Sequence, residues 1–220
     1  MNHTSTRTRW LATSFAAALL AAVMILATAT ASAGTAACAF CGKNLIKNPG
    51  ADAGLGIMAV DASGGVPHWT NVAGEFGAAS YTFPNGWFSA RSTGPKNRGK
   101  NYFFGGTTRA AVEAQATIGK QTIKLPAGAA GRAATLSGWL GNYGKNTAQV
   151  RAQFEDPAGK LLAALRIGPD TTIAGTNMTM RIRSRAVPAG AAQVTIVVTF
   201  AGGGFAYKLA GADALSLVLK

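Results

Sequence analysis

Acidic side chains are scarce in this chain. Eight Asp and Glu stand against 21 Lys and Arg, a formal charge of +13 over 220 residues. That balance suits anionic surroundings such as acidic polysaccharide, teichoic acid, phospholipid headgroups or extracellular DNA, the alternative being that the charge only serves solubility. Cysteine is scarcer still: Cys38 and Cys41 are the only two, too few to complete a tetrahedral zinc site. Of two histidines, His3 lies in the leader described below, which leaves His68 in a Gly-Val-Pro-His-Trp stretch with no nucleophile motif around it. Neither G-x-S-x-G, H-E-x-x-H nor a phosphate-binding glycine loop occurs, so the usual hydrolase, metalloprotease and nucleotide-binding chemistries have no footing. Heptads, a linker and a long amphipathic helix are missing as well. Glu75, Glu113, Glu155 and Asp156 remain as carboxylates that a glycosidase pair would need. The reading is a protein that binds without catalysing.

The first 33 residues read as a cleaved signal peptide. Arg7 and Arg9 form a positive start, Phe15 to Ala27 is an uninterrupted apolar run, and Ala31-Ser32-Ala33 is a small-residue cleavage site. The run is short for a membrane span, so the remaining chain is expected to have none. Loss of the leader removes two arginines and no acid, leaving a net charge of about +11. Residues 34–43 form an N-terminal segment, and 44–220 one domain large enough for a real core. Outside the cell a Cys38–Cys41 disulfide is the default. A thioredoxin-like redox motif would need a helix after the second cysteine, and Gly42-Lys43-Asn44 does not start one.

What is abundant is alternation. Val194, Ile196, Val198 and Phe200 alternate with Gln193, Thr195, Val197 and Thr199; Val150, Ala152 and Phe154 with Gln149, Arg151 and Gln153; Met178, Met180 and Ile182 with Thr179, Arg181 and Arg183. Strand side chains point alternately to opposite faces, so this period predicts sheets buried on one side and wet on the other. Turn signals such as Asn48-Pro49-Gly50, Pro126-Ala127-Gly128 and Pro188-Ala189-Gly190 separate the runs. The expected class is all-β, a sandwich of antiparallel sheets. Strands are expected near 44–47, 79–83, 101–104, 113–124, 132–141, 147–155, 160–167, 178–186, 192–200 and 213–219. A bulge is expected at Gly119, where the apolar parity shifts. Residues 53–100, rich in glycine and aromatics, read as long loops with a few short strands.

Three segments carry a resemblance. The opening Asn44-Leu45-Ile46-Lys47-Asn48-Pro49-Gly50-Ala51-Asp52, the middle Arg98 to Gly106, and the closing Ala212-Asp213-Ala214-Leu215-Ser216-Leu217 together resemble the galactose-binding-domain-like jelly rolls, which include many bacterial carbohydrate-binding modules. The resemblance implies a jelly roll with its first and last strands side by side. It also implies a structural calcium at that junction, held by Asp52 and Asp213 with backbone carbonyls. Oxygen donors of this kind suit calcium. Asp52 is shorter than the glutamate more usual in relatives, and Ala214 stands where they often carry a second polar residue. The alternative is that both aspartates cap turns.

Two surfaces compete for a ligand. On the sheet face, Arg181 and Arg183 project from one strand, Gln149, Arg151 and Gln153 from another, and Trp139 shares the parity of Thr135 and Ser137. An indole beside amides and guanidinium groups suits a sugar, although a tryptophan there is also ordinary core. The second surface is the loop region with Trp69, Trp87, Phe88 and Arg98, continued by Tyr143. Interleaved aromatics and bases also suit single-stranded nucleic acid, but export argues against that partner. The expectation is a secreted, monomeric, non-catalytic carbohydrate-binding protein that prefers an extracellular anionic polysaccharide. The rival is a cell-surface structural or adhesion protein that binds another protein.

Overall fold

A computed structural model describes residues 38–57, 65–83, 87–169, 176–202 and 207–220. The leader expected at 1–33 lies outside them. One compact unit runs from Cys38 to Lys220. Its strands, in chain order, are β1 (Thr70–Ala73), β2 (Gly77–Ser80), β3 (Asn101–Phe104), β4 (Ala116–Lys124), β5 (Ala133–Asn142), β6 (Thr147–Glu155), β7 (Leu161–Ile167), β8 (Met178–Ala186), β9 (Gln193–Ala201) and β10 (Ala210–Leu219). A five-residue helix, α1 (Arg109–Glu113), precedes β4, with Thr108 capping its N-terminus.

The strands form two five-stranded antiparallel sheets, ordered β1-β4-β9-β6-β7 and β2-β3-β10-β5-β8. This is the jelly-roll sandwich that the alternation and the terminal motifs lead one to expect. The main core lies between the sheets: Val150, Ala152 and Phe154 of β6 and Val194, Ile196, Val198 and Phe200 of β9 meet Leu136, Leu140, Leu215, Leu217 and Phe103 from the second sheet. Removing these apolar chains from water is the dominant stabilising term. A smaller cluster, Ile57, Ala79, Tyr81, Phe88, Tyr102, Phe104 and Met178, lies on the outer side of the second sheet. The segment that follows β2 roofs that side. Phe88 sits over Gly141 and Gly211, which are in register, and a Cβ on either glycine would come within 2.5 or 2.8 Å of its ring.

Several expectations change. Residues 44–47 are not a regular strand: Asn44 makes one isolated bridge to Val218, and Leu45 N donates to Leu217 O at 2.9 Å. The two ends of the domain nevertheless lie side by side. No bulge sits in β4, because its ladder with β9 is regular through Gly119. The irregularity is in β1, between Asn71 and Ala73. Gly119 faces inward, where a Cβ would be 2.4 Å from the Phe76 ring. The apparent parity shift arose because the inner face of β4 carries Thr117, Gly119 and Gln121, whose roles are hydrogen bonding and clearance. Thr117 Oγ1 donates to Gly105 O at 2.6 Å. The Cys38–Cys41 disulfide is formed, with the Arg132 guanidinium 5.5 Å from the centre of the Phe40 ring between them.

Candidate functional site

Directly opposed residues of an antiparallel pair point to the same side of the sheet, so register decides which of the expected ligand residues share a face. On β8, Arg181 opposes Gly138, Arg183 opposes Leu136 and Arg185 opposes Ala134. Leu136 and Ala134 are core, so the arginines point to the inner side. Met180 opposes Trp139 and Ile182 opposes Ser137, so the apolar set of β8 points outward. The single face expected for Trp139, Arg181 and Arg183 is therefore not formed. The physical reason is that β8 is an edge strand beside β7, the edge of the other sheet. An inward arginine there still reaches solvent, and Arg185 Nη1 donates to Ala164 O of β7 at 2.8 Å. The outward side is covered at Met178 by the roof, while Met180 and Ile182 remain 43% and 54% exposed.

Gln149, Arg151 and Gln153 lie on the outer face of the first sheet, on the far side of the molecule from Trp139. Trp139 is half-buried against the roof cluster together with Trp87, and Trp87 stacks on Phe104 at 4.9 Å. Tyr143 is exposed in the loop between β5 and β6. Trp69 packs edge-on against Phe103 at 4.9 Å and donates from its indole to Lys47 O at 3.2 Å. Arg98 donates to the carbonyls of Pro95, Ser89 and Ser92, which holds the roof together. Most of the aromatic loop surface is thus structural.

The outer face of the first sheet is the open one. Across the strands, Thr70, Lys120, Val197, Arg151 and Arg166 fall in one register row. Thr122, Thr195 and Gln153 form the next row on one side, and Ile118, Thr199 and Gln149 the next on the other. Arg151 and Arg166 oppose each other directly, an arrangement that costs stability unless an anion intervenes. Neither guanidinium makes a hydrogen bond or ion pair among the described residues, and the same holds for the Lys120 side chain. Glu155, four residues along β6 from Arg151, is occupied: its Oε2 accepts from Gln193 Nε2 at 2.8 Å and Thr195 Oγ1 at 3.0 Å. Lys120 and Arg166 were not singled out from the sequence. Their parity was legible, but their place in the row depends on register.

The other candidate carboxylates are also engaged. Asp156 Oδ1 accepts from Ala158 N and Lys160 N, as a turn residue does. Glu113 pairs with Arg109, and Glu75 accepts from Thr108; burial raises the Glu75 carboxyl above its ordinary range.

Asp52 and Asp213 come together at the junction of the chain ends. A Cβ at Gly50 would lie 2.8 Å from Asp52 Oδ2 and 3.0 Å from Asp213 Oδ1. Asp52 Oδ1 accepts from Lys100 N and Asn101 N. Asp213 Oδ2 accepts from the Tyr81 hydroxyl at 2.6 Å, and Oδ1 accepts from Ala214 N. Burial pushes the Asp213 carboxyl up to about 6; the Tyr81 and Ala214 bonds lower it, and the Asp52 charge adds to the rise. Burial, then the Asp213 carboxylate, likewise raises the Tyr81 hydroxyl above its ordinary value. Ala51 and Ala214 hold φ of 61° and 47°, left-handed values that a residue with a Cβ adopts only under constraint. Two carboxylate oxygens facing one gap, with glycine leaving the space, fit a hard divalent cation.

No family model and no curated protein matches the chain. Solved structures do. The enzymatically active domain of bacteriophage CBA120 tailspike protein 4 aligns at a TM-score of 0.53 and 15% identity, over 80% of this chain and 21% of that one. The chain thus spans about a fifth of the tailspike domain. "Family 16 Carbohydrate Binding Module-2" aligns at 0.50 and 17% identity, over 80% of this chain and 99% of the module. TmCBM61, solved with β-1,4-galactotriose, aligns at 0.47 and 14%, over 81% and 99%. The likeness to the first two is one of fold alone, the jelly-roll sandwich described above.

Proposed function

We propose that this is a secreted, non-catalytic carbohydrate-binding protein that, as a monomer, holds an acidic extracellular polysaccharide on the outer face of the first sheet. The observation that carries the reading is the unpartnered, in-register Arg151–Arg166 pair with Lys120 in the same row. Guanidinium forks suit carboxylate or sulfate groups. Val197 between the cations offers a small apolar floor for a sugar ring, and Gln149, Gln153 and Thr199 offer hydroxyl partners. Because the described strands present no aromatic platform on this face, charge supplies most of the attraction, and binding weakens with salt. The likeness to a carbohydrate-binding module and the leader-like start of the chain support the same reading.

At the chain junction Asp52 and Asp213 would hold calcium, which when bound ties the opening segment to β10 and stabilises the fold by mass action. The rival, adhesion to a protein partner, has the exposed Met180 and Ile182 in its favour. Affinity electrophoresis at low salt separates the two. Retardation by a polyuronate but not by a neutral glucan, lost in Arg151→Ala/Arg166→Ala, supports the sheet face. Migration unaffected by any polysaccharide sinks the reading and leaves adhesion as the better one.

A further inference from the structure

A pocket of about 400 Å³ opens beside β4, lined by Lys47, His68, Gln121, Thr122, Ile123 and Lys124. It brings together the opening segment, the turn before β1 and the end of β4. Its construction starts with Gln121, which is 6% exposed and faces inward opposite Ile196. An amide there has to satisfy its own hydrogen bonds. Nε2 donates to Lys47 O and His68 O, each at 3.0 Å, and Oε1 accepts from Lys47 N at 2.8 Å. One buried side chain therefore clamps two turns. Trp69 adds a further bond to Lys47 O.

The clamp holds His68 at φ 71°, a strained backbone for a residue with a Cβ. Such strain persists only where the surroundings impose it, and it clusters at ligand clamps. The side chains of Lys47, His68 and Lys124 make no hydrogen bond or ion pair among the described residues, and no carboxylate lines the pocket. The two unpaired lysines beside this concavity concentrate anions there. Thr122 adds a hydroxyl and Ile123 an apolar wall. The volume is near the lower end of the range for small-molecule sites, roughly 300–1,000 Å³, which suits one sugar ring.

We infer that this pocket, which meets the outer sheet face at Thr122 and Lys124 but lies apart from the Arg151–Arg166 pair, is a second site that takes a single anionic sugar residue, its acid group toward Lys47 and Lys124 and its ring against Ile123. The shared chemistry is one anionic group, so the test must separate a sugar acid from a free oxyanion. Glucuronate, glucose and inorganic phosphate are each titrated calorimetrically into the mature protein. Glucuronate is expected to bind saturably and glucose not to bind. In Lys47→Ala/Lys124→Ala, which leaves the backbone bonds to Gln121 in place, affinity for glucuronate should fall at least about tenfold with the thermal midpoint unchanged. In Arg151→Ala/Arg166→Ala it should stay the same. Equal binding of glucose and glucuronate overturns the inference, as does full binding by the lysine double variant. Phosphate binding without glucuronate binding overturns the sugar-acid assignment. Loss of glucuronate binding in the arginine double variant overturns the separateness of the site. Failure of the sheet face to retain a polyuronate leaves the pocket standing, since a monomer tests it alone.

Discussion

On the outer face of the first sheet, β4, β9, β6 and β7 present lysine, arginine, threonine and glutamine to solvent. On the outer face of the second, β3 and β8 present Tyr102, Phe104 and Met178 beneath a roof that carries Trp87 and Phe88. Both faces follow the same alternation, yet one is open and the other is a second core. The difference lies in what the chain does next. The segment after β2 folds back over its own sheet, pinned by Arg98 and by Tyr81 on Asp213, whereas no described segment crosses the first sheet. Alternation tells which residues share a side. It does not tell which side another segment will cover.

The comparison breaks most readily at Phe88. If the roof is true core, Phe88→Ala leaves a hole over Gly141 and Gly211 and costs about 3–5 kcal/mol, the range for large-to-small core changes. Urea unfolding measures it. A loss below about 1 kcal/mol would mean that the roof is only laid on the surface.

The next effect is electrostatic and belongs to the same roofed side. Asp213 has a folded pKa of about 6 against an ordinary 3.8, so the folded protein holds this proton more tightly than the unfolded chain does. The associated stability is complete below about pH 4 and is lost as pH rises through 6, a change of about 3 kcal/mol at most. In chelator, then, stability should fall between pH 4 and 7, and Asp213→Asn should flatten the slope. Calcium, which binds the ionised form, should restore stability at pH 7 in the wild type and not in Asp213→Asn. A wild-type melting temperature indifferent to chelator and calcium would remove the metal and leave the sandwich intact.

A smaller effect probes the buried side of the open sheet. Gly119→Ala drives a methyl into the Phe76 ring and should cost about 1–3 kcal/mol, typical of overpacking. The smallest effect sharpens the contrast. Arg151→Ala and Arg166→Ala should each change stability by less than about 0.5 kcal/mol, because the chains are unpartnered on a wet face. The same changes should weaken retention by a polyuronate and reduce its salt sensitivity. A large loss of stability with unchanged retention would reverse the roles of the two faces.

Much of the fold was legible. β3, β6 and β8 run over the residues expected, because period-2 alternation between turn signals has few other solutions. β1 was hidden in Thr70–Ala73, four mostly exposed residues without an apolar face. Less of the site was legible. Arg151, Gln149 and Gln153 stood out by alternation, but their row mates Lys120 and Arg166 come from strands remote in sequence. Arg181 and Arg183 misled, because on an edge strand the inward side is wet and the polar residues do not mark the solvent face of the sheet.

The sequence by itself determined the class of fold, the positive charge, the local disulfide and the meeting of the two chain ends, since each rests on local periodicity, composition or short motifs. The register across β4, β9, β6 and β7, the roof over the second sheet and the clamp at Gln121 were decided only by the tertiary structure. Each depends on pairing between segments far apart in the chain. A shift of one residue in that pairing would carry the same side chains to the opposite face.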